Sequence, residues 1–430
     1  MNRSLYSFLW WLALPLVLMR LWWRGRKEPG YRAQVAERLG FYGPRLPARP
    51  TFMVHAVSVG ETRAAQPLVE ALLASRPDSR VLLTHMTPTG RATGRALFGH
   101  HGERVVQSYL PYDIGFMVRR FLRHFSPRIC ILMETEVWPN LIAGCAVEAV
   151  PVALVNARLS ARSLRRGQRF GGLMPEAARA ITVVAAQTEA DAERIRSLGA
   201  PKVVVTGSIK FDVVPPDSAL ALGAWLRARF GTRPVLLCAS TREGEEALIL
   251  DAYARMRERP DGMLLVLVPR HPQRFDEVAQ MVTARGLSLA RRSQLADETV
   301  TDGVQAGAKA EVLLGDSMGE MFAYYAACDC AFIGGSLLPL GGQNLIEACA
   351  LGKPVLVGEH TFNFLDASNE AVGAGGAVRV ADADALLAQA AGLLRNAGER
   401  AAMGASAAAF AQRHRGATLR TVELLQQEIR

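Results

Sequence analysis

The sequence predicts an α/β protein built from two doubly wound, parallel-sheet domains. Three observations predict it. From Thr51 onward, short aliphatic runs alternate with helical stretches; each run is apolar at nearly every position; and the series breaks at Pro215-Pro216 and then restarts. Continuous apolar strands separated by helices belong to parallel sheets covered on both faces. A chain of 430 residues also exceeds what a single hydrophobic core fills.

The amino terminus stands apart. Leu5 to Met19, "LYSFLWWLALPLVLM", is nearly all apolar and is followed by Arg20, Trp22, Trp23, Arg24, Arg26 and Lys27. A cleaved signal would carry its charge before the apolar core and small residues after it. The run is shorter than the ~20 residues of a comfortable bilayer span, but extends through Trp23 to a thin one. Residues 1–24 therefore read as a membrane anchor, with the following basic cluster keeping the chain on the cytoplasmic side. The alternative is an amphipathic helix packed on the domain itself.

The first strand series runs "TFMVHAV", "RVLLTHM", "RVVQSYL", "RICILME", "PVALVNA", "AITVVAA" and "KVVVTGS", giving a domain over residues 25–212. The second runs "RPVLLCAS", "GMLLVLVP", "EVLLGDS", "CDCAFIGG" and "KPVLVGE", giving a domain over 217–430 whose last helix packs back on the first domain or stays with the second. Pro-Pro with polar neighbours marks the linker. Ligands of such sheets bind beyond the carboxyl ends of the strands, where strand order reverses. In the order 3-2-1-4-5-6, strands one and four flank that point. Glu61, in "HAVSVGET", follows strand one; Glu134 and Glu136, in "METEVWPN", end strand four. Three carboxylates then converge on one crevice. Capping competes with this for each motif, since Ser58-Val-Gly-Glu61 fits a capping box and Glu136 precedes a helix begun by Pro139.

The net charge of +10 implies an acidic partner. Few aromatics accompany the basic clusters, which disfavours nucleic acid. The six cysteines lie inside apolar patterns without C-x-x-C, as buried thiols do. The eight histidines show no ligand spacing, so no metal is expected.

Taken together, the motifs resemble the 3-deoxy-D-manno-octulosonic acid (Kdo) transferases of lipopolysaccharide synthesis. The resemblance runs through "RLWWRGRKEPGYRAQVAERLGFY", "HAVSVGET", "PTG", "METEVWPNLI", "NARLSARS", "GSIKFD", "STREGEE", "VPRHPQRF", "GDSMGEM", "FIGGSL" and "GGQNLIEACALGKPVLVGEHTFNF". It implies the GT-B architecture, with two Rossmann-like domains facing across a cleft, and inverting transfer of Kdo from CMP-Kdo to a lipid A precursor, lipid IVA. No metal or other cofactor is implied, CMP-Kdo being the donor substrate. By this resemblance Glu61 is the general base, ionised at a helix amino terminus. Glu134 and Lys210 match positions that stabilise the transition state. Pro269 and Arg270, Met318, Gly319 and Glu320, and Asn344, Leu345, Ile346 and Glu347 correspond to CMP-contacting segments. Ser240, Arg242 and His271 are second-rank candidates at similar strand ends.

The anionic lipid acceptor and the inner-membrane surface are the expected partners. Arg158, Arg162, Arg165, Arg166 and Arg169, with the Arg24 to Arg38 region, are positioned to meet their phosphates. Asp382 and Asp384 imitate a D-x-D metal motif but sit before a late helix, as caps do. Three readings compete with this one: a GT-B transferase for another nucleotide sugar, a dehydrogenase, and a non-enzymatic membrane-tethered binding protein. The first turn lacks the G-x-G-x-x-G that a dehydrogenase needs.

Overall fold

The computed structural model describes residues 2–45, 47–169, 171–295 and 310–429. The chain divides into two compact units, Met1–Val213 with Arg415–Arg430, and Val214–His414. Among the described residues each unit holds a seven-stranded sheet, and every strand pairing is parallel.

In unit 1 the strands are β1 (Thr51–His55), β2 (Arg80–His85), β3 (Val105–Tyr109), β4 (Ile129–Met133), β5 (Val152–Ala157), β6 (Val183–Ala186) and β7 (Val203–Val205). Their order is β3-β2-β1-β4-β5-β6-β7, so the reversal falls between β1 and β4, as the sequence implies. Strands β1, β2, β4, β5 and β6 are buried at every position. That explains their unbroken apolar runs: helices cover both faces, and alternate residues feed two separate cores. Phe52, Val54, Ile129 and Ile131 enter one core, whereas Met53, Cys130 and Leu132 enter the other.

Unit 2 repeats the plan with β8 (Val235–Thr241), β9 (Leu264–Pro269), β10 (Leu289–Arg291), β11 (Val312–Leu314), β12 (Cys330–Ile333), β13 (Val355–Val357) and β14 (Ala377–Arg379). The order is β10-β11-β9-β8-β12-β13-β14, which puts the reversal between β8 and β12. Strands β10 and β14 escaped the sequence reading. Both are three-residue edge strands with half-buried positions, too short to show a period.

The helix Ala417–Gln426 belongs to unit 1. Its Leu425 and Ala417 join the core beneath β1, and its amino terminus is held by Asp212, whose carboxylate accepts from Gly416 N (2.6 Å) and Thr418 N (2.5 Å). All six cysteines are free and buried.

The amino-terminal helix runs Arg3–Lys27, past the expected end at residue 24 and straight through Pro15. It is long and apolar enough to cross a membrane. One stripe packs on unit 1: Tyr6 donates to Asp113 (3.0 Å), Ser7 to Asn140 (3.1 Å), and Trp10, Leu14, Val17 and Leu18 cover Tyr112, Ile114 and Met117. Another stripe, including Phe8, Leu12, Leu16, Met19, Trp22 and Trp23, is exposed. One helix thus carries both a docked stripe and a bare apolar face, the features that the sequence offers as alternatives.

Candidate functional site

In unit 1 the predicted carboxylates come together. Glu61 lies in the first turn of the helix Val59–Ala64, directly after β1. It does not complete a capping box: Ser58 makes no side-chain cap, and instead donates its hydroxyl to Glu61 Oε1 at 3.3 Å. The other oxygen, Oε2, accepts from Val57 N at 2.7 Å. The carboxylate is thus folded back over the end of β1 and oriented by its own turn, with bonding capacity left on Oε1.

The helix-terminus argument gives the wrong sign for this group. A helix amino terminus stabilises a carboxylate by about 0.3–1 kcal/mol, less than one pKa unit. Glu61 is instead pushed up from 4.5 to about 7, first by burial and then by the negative charges of Glu136 and Glu134; the Val57 and Ser58 bonds oppose this only partly. Desolvation therefore outweighs the short helix.

Glu134 and Glu136 follow β4. Glu134 has φ +55°, a left-handed conformation that costs a side-chain-bearing residue about 1 kcal/mol or more. Its backbone stays tied to β5, since Glu134 N donates to Val155 O and Arg158 N to Glu134 O. Oε1 of Glu134 meets Lys210 Nζ at 2.7 Å, both side chains being largely buried. Glu136 is not a helix cap. It accepts from the Trp138 indole at 2.8 Å, and burial, offset in part by that bond, raises its pKa with a further push from Glu134.

Lys210 sits in the 3-10 turn Ile209–Asp212, wedged by Ile209 into the core and by Asp212 against the last helix. Sequence reasoning missed the residue that joins this turn to Glu134. Asn156, fully buried near the end of β5 with φ +51°, accepts from Ile209 N (3.2 Å) and donates toward Glu134 Oε1 (3.4 Å). The signal available was a polar side chain inside the apolar strand "VALVNA". The basic helix Ala161–Arg169 has no buried residue. Arg38, by contrast, cannot meet a headgroup: it is 1% exposed, stacks 3.7 Å over Tyr109 and donates to Met86 O.

In unit 2 the predicted segments gather at the carboxyl ends of β8, β9, β11 and β12. Pro269 ends β9, and Arg270 N donates to Thr241 O at the end of β8. Burial, reinforced by Arg242, Arg270 and Arg274, lowers the pKa of His271. Arg242, Arg270 and Arg274 together place positive charge around His271, which suits an anion. Met318 is exposed, and Gly319 takes φ +85°. Glu320 does not begin the helix Met321–Ala327 but precedes it, paired with Arg292 at 3.1 Å and accepting from Ser317 at 2.6 Å. Asn344 and Leu345 likewise precede the helix Ile346–Ala350; Asn344 accepts from Ile346 N and donates to Glu347 at 3.1 Å.

Two glutamates that were not singled out build this end of the sheet. Glu245, with no exposed surface, accepts from Arg242 N (2.9 Å), Gly335 N (2.5 Å) and Leu337 N (3.0 Å). Glu246 bonds Thr241 and Arg274. Beside them β8 and β12 approach so closely that a Cβ on Gly334 would lie 2.5 Å from Ser240 O. Ser240 itself has φ +55°. Asp382 caps its helix through Ala385 N (2.8 Å), and Asp384 pairs with Arg255, so neither forms a metal motif.

Residues 33–213 match the family model "3-Deoxy-D-manno-octulosonic-acid transferase (kdotransferase)". The chain is 47% identical to the 3-deoxy-D-manno-octulosonic acid transferase of Bordetella pertussis, covering 99% of each chain. It is 37% identical to that of Haemophilus influenzae, covering 99% of this chain and 98% of the relative. Among solved structures, Anabaena HepE in complex with UDP and glucose is similar in fold, with TM-score 0.59 and 16% identity over 88% of this chain and all of that one. The UDP-GlcNAc 2-epimerase of Neisseria meningitidis gives the same TM-score and identity, with the same coverage. Both likenesses concern fold alone, the paired Rossmann-like plan of GT-B proteins.

Proposed function

Starting from the fact that this chain belongs to the 3-deoxy-D-manno-octulosonic acid transferase family and is a glycosyltransferase, we propose that it moves Kdo from CMP-Kdo to a hydroxyl of the tetraacylated lipid A precursor, lipid IVA. The observation that carries this reading is the state of Glu61. An inverting transfer needs a base whose pKa lies near the working pH. Glu61 is oriented by Val57 and Ser58 at the end of β1, and burial pushes its pKa up to about 7.

The proposed chemistry divides between the units. Glu61 takes the acceptor proton as the acceptor oxygen bonds to the anomeric carbon, and the bond to the CMP phosphate breaks with its electrons leaving on phosphate. Glu134 opposes the positive charge that develops on the sugar ring, and Lys210 offsets the donor carboxylate while holding Glu134 in place. In unit 2, Arg270 and the surrounding positive field receive the phosphate. Pro269, the Met318–Glu320 turn and Asn344 to Glu347 frame the rest of the nucleotide.

Membrane residence at the cytoplasmic face of the inner membrane is part of this proposal. It is supported by the bare apolar face of the amino-terminal helix and by Arg24, Arg26 and Lys27 in its last turn. The test is transfer by purified protein on lipid IVA, with products read by mass and with donor binding compared between CMP and UDP. Products heavier by one or more Kdo units, formed with CMP as the competing nucleotide, support the reading. A preference for UDP sends it to another sugar donor.

A further inference from the structure

The geometry points to a transition-metal site on unit 1, made by Glu70, His100 and His101, and we propose that it takes one Zn2+. These residues fall outside every spaced ligand motif because two of the donors are sequence neighbours. Glu70 lies on the helix Gln66–Ser75, and the histidines lie on the turn Gly99–Arg104, which kinks at Gly102 (φ +57°). His101 Nε2 is 2.9 Å from Glu70 Oε2, and His100 Nε2 is 3.9 Å from Glu70 Oε1. The ligand atoms all lie within 4.8 Å of one another. A tetrahedral zinc ion with bonds of about 2.0–2.1 Å sets its donors about 3.3 Å apart, so a small rotation of the exposed His100 ring toward the less exposed His101 and Glu70 completes the site.

Two further observations make this a built arrangement. The donor-bearing segments are clamped by a group that donates nothing to the metal. Arg104 Nη2 bonds Leu73 O (2.7 Å) and Arg76 O (3.2 Å), tying the turn to the end of the Glu70 helix. On that helix Leu68, Val69, Leu72 and Leu73 are sunk in the core, which fixes Glu70 on the outer face. The imidazole centroids are 4.0 Å apart, which sets both donor rings beside Glu70.

The donor set selects the ion. Two neutral imidazoles and one carboxylate suit zinc and similar borderline ions; magnesium and calcium prefer all-oxygen shells. Three protein ligands leave one position for water. The turn leads into the start of β3, whereas Glu61 follows the end of β1, so the metal belongs to the opposite rim of the sheet from the carboxylate cluster. It would staple the helix to the turn.

The test is Zn2+ titration of the untagged full-length protein by calorimetry, with Co2+ as a spectroscopic probe. Expected are one ion per chain, visible cobalt bands of four-coordinate intensity, no competition from Mg2+, and a higher melting temperature with Zn2+. His100→Ala and His101→Ala should each weaken binding at least tenfold while leaving transferase activity without added metal unchanged. His100 is mostly exposed, so that variant keeps the fold. Absence of binding at millimolar Zn2+, or undiminished binding in both variants, overturns the proposal.

Discussion

Lys210 Nζ stands 2.7 Å from Glu134 Oε1, joining a turn after the last strand of unit 1 to the end of β4. The sequence offers the two residues as separate stabilisers of charge. Paired, they act as one element, with the ammonium holding the carboxylate in place. Lys210→Ala is expected to lower kcat/KM about 10²-fold, the scale for losing one preorganised electrostatic partner. Lys210→Arg restores part of it. Steady-state rates on CMP-Kdo and lipid IVA decide this, and an unchanged rate in Lys210→Ala removes the pair from the mechanism.

The raised pKa of Glu61 predicts an acid limb in the pH profile. The base acts only when ionised, so kcat/KM falls tenfold per pH unit below about 7 and levels above it. Glu136 contributes negative charge to that shift. Removing the charge makes ionisation of Glu61 easier, so Glu136→Gln should move the limb to lower pH. A limb that moves upward, or stays fixed, contradicts the assignment.

Asn156 predicts a different signature. It bonds both the Lys210 turn and Glu134 without facing either substrate in the proposed chemistry. Asn156→Ala should lower kcat about tenfold or more with little change in KM for CMP-Kdo. It should also cost about 1–3 kcal/mol in stability, because Ile209 N loses its acceptor. Urea unfolding beside kinetics measures both.

How far the sequence carries is visible in these same residues. In the first unit the common order 3-2-1-4-5-6 sets strands one and four side by side and so brings Glu61 toward Glu134; in the second, the edge strands β10 and β14 are too short to read from the sequence. The family motifs then supply their roles. What pattern reading misses is set by long-range contacts: Asn156 holding Ile209, Asp212 capping the final helix, and Glu245 bonding a loop from another strand. The raised pKa of Glu61 escapes pattern reading for the same reason. The helix dipole is a local property legible in sequence, whereas burial and two neighbouring carboxylates depend on the whole sheet. Arg38 carries a similar lesson, since its basic context suggests a lipid contact and its packing forbids one.

Glu245 gathers three backbone amides from the turns after β8 and β12. Glu245→Gln keeps the size but replaces one accepting oxygen with a donor, leaving an amide unmatched. CMP affinity should fall about tenfold while the acid limb set by Glu61 stays in place. Calorimetry with CMP, paired with the pH profile, separates this from a general loss of fold.

The central claim rests on one proton. Single-turnover transfer of Kdo from CMP-Kdo to lipid IVA, compared between the native protein and Glu61→Gln, tests it most directly. The account predicts that the variant binds CMP and melts as the native protein does, yet forms no product. Near-native turnover by Glu61→Gln would contradict it.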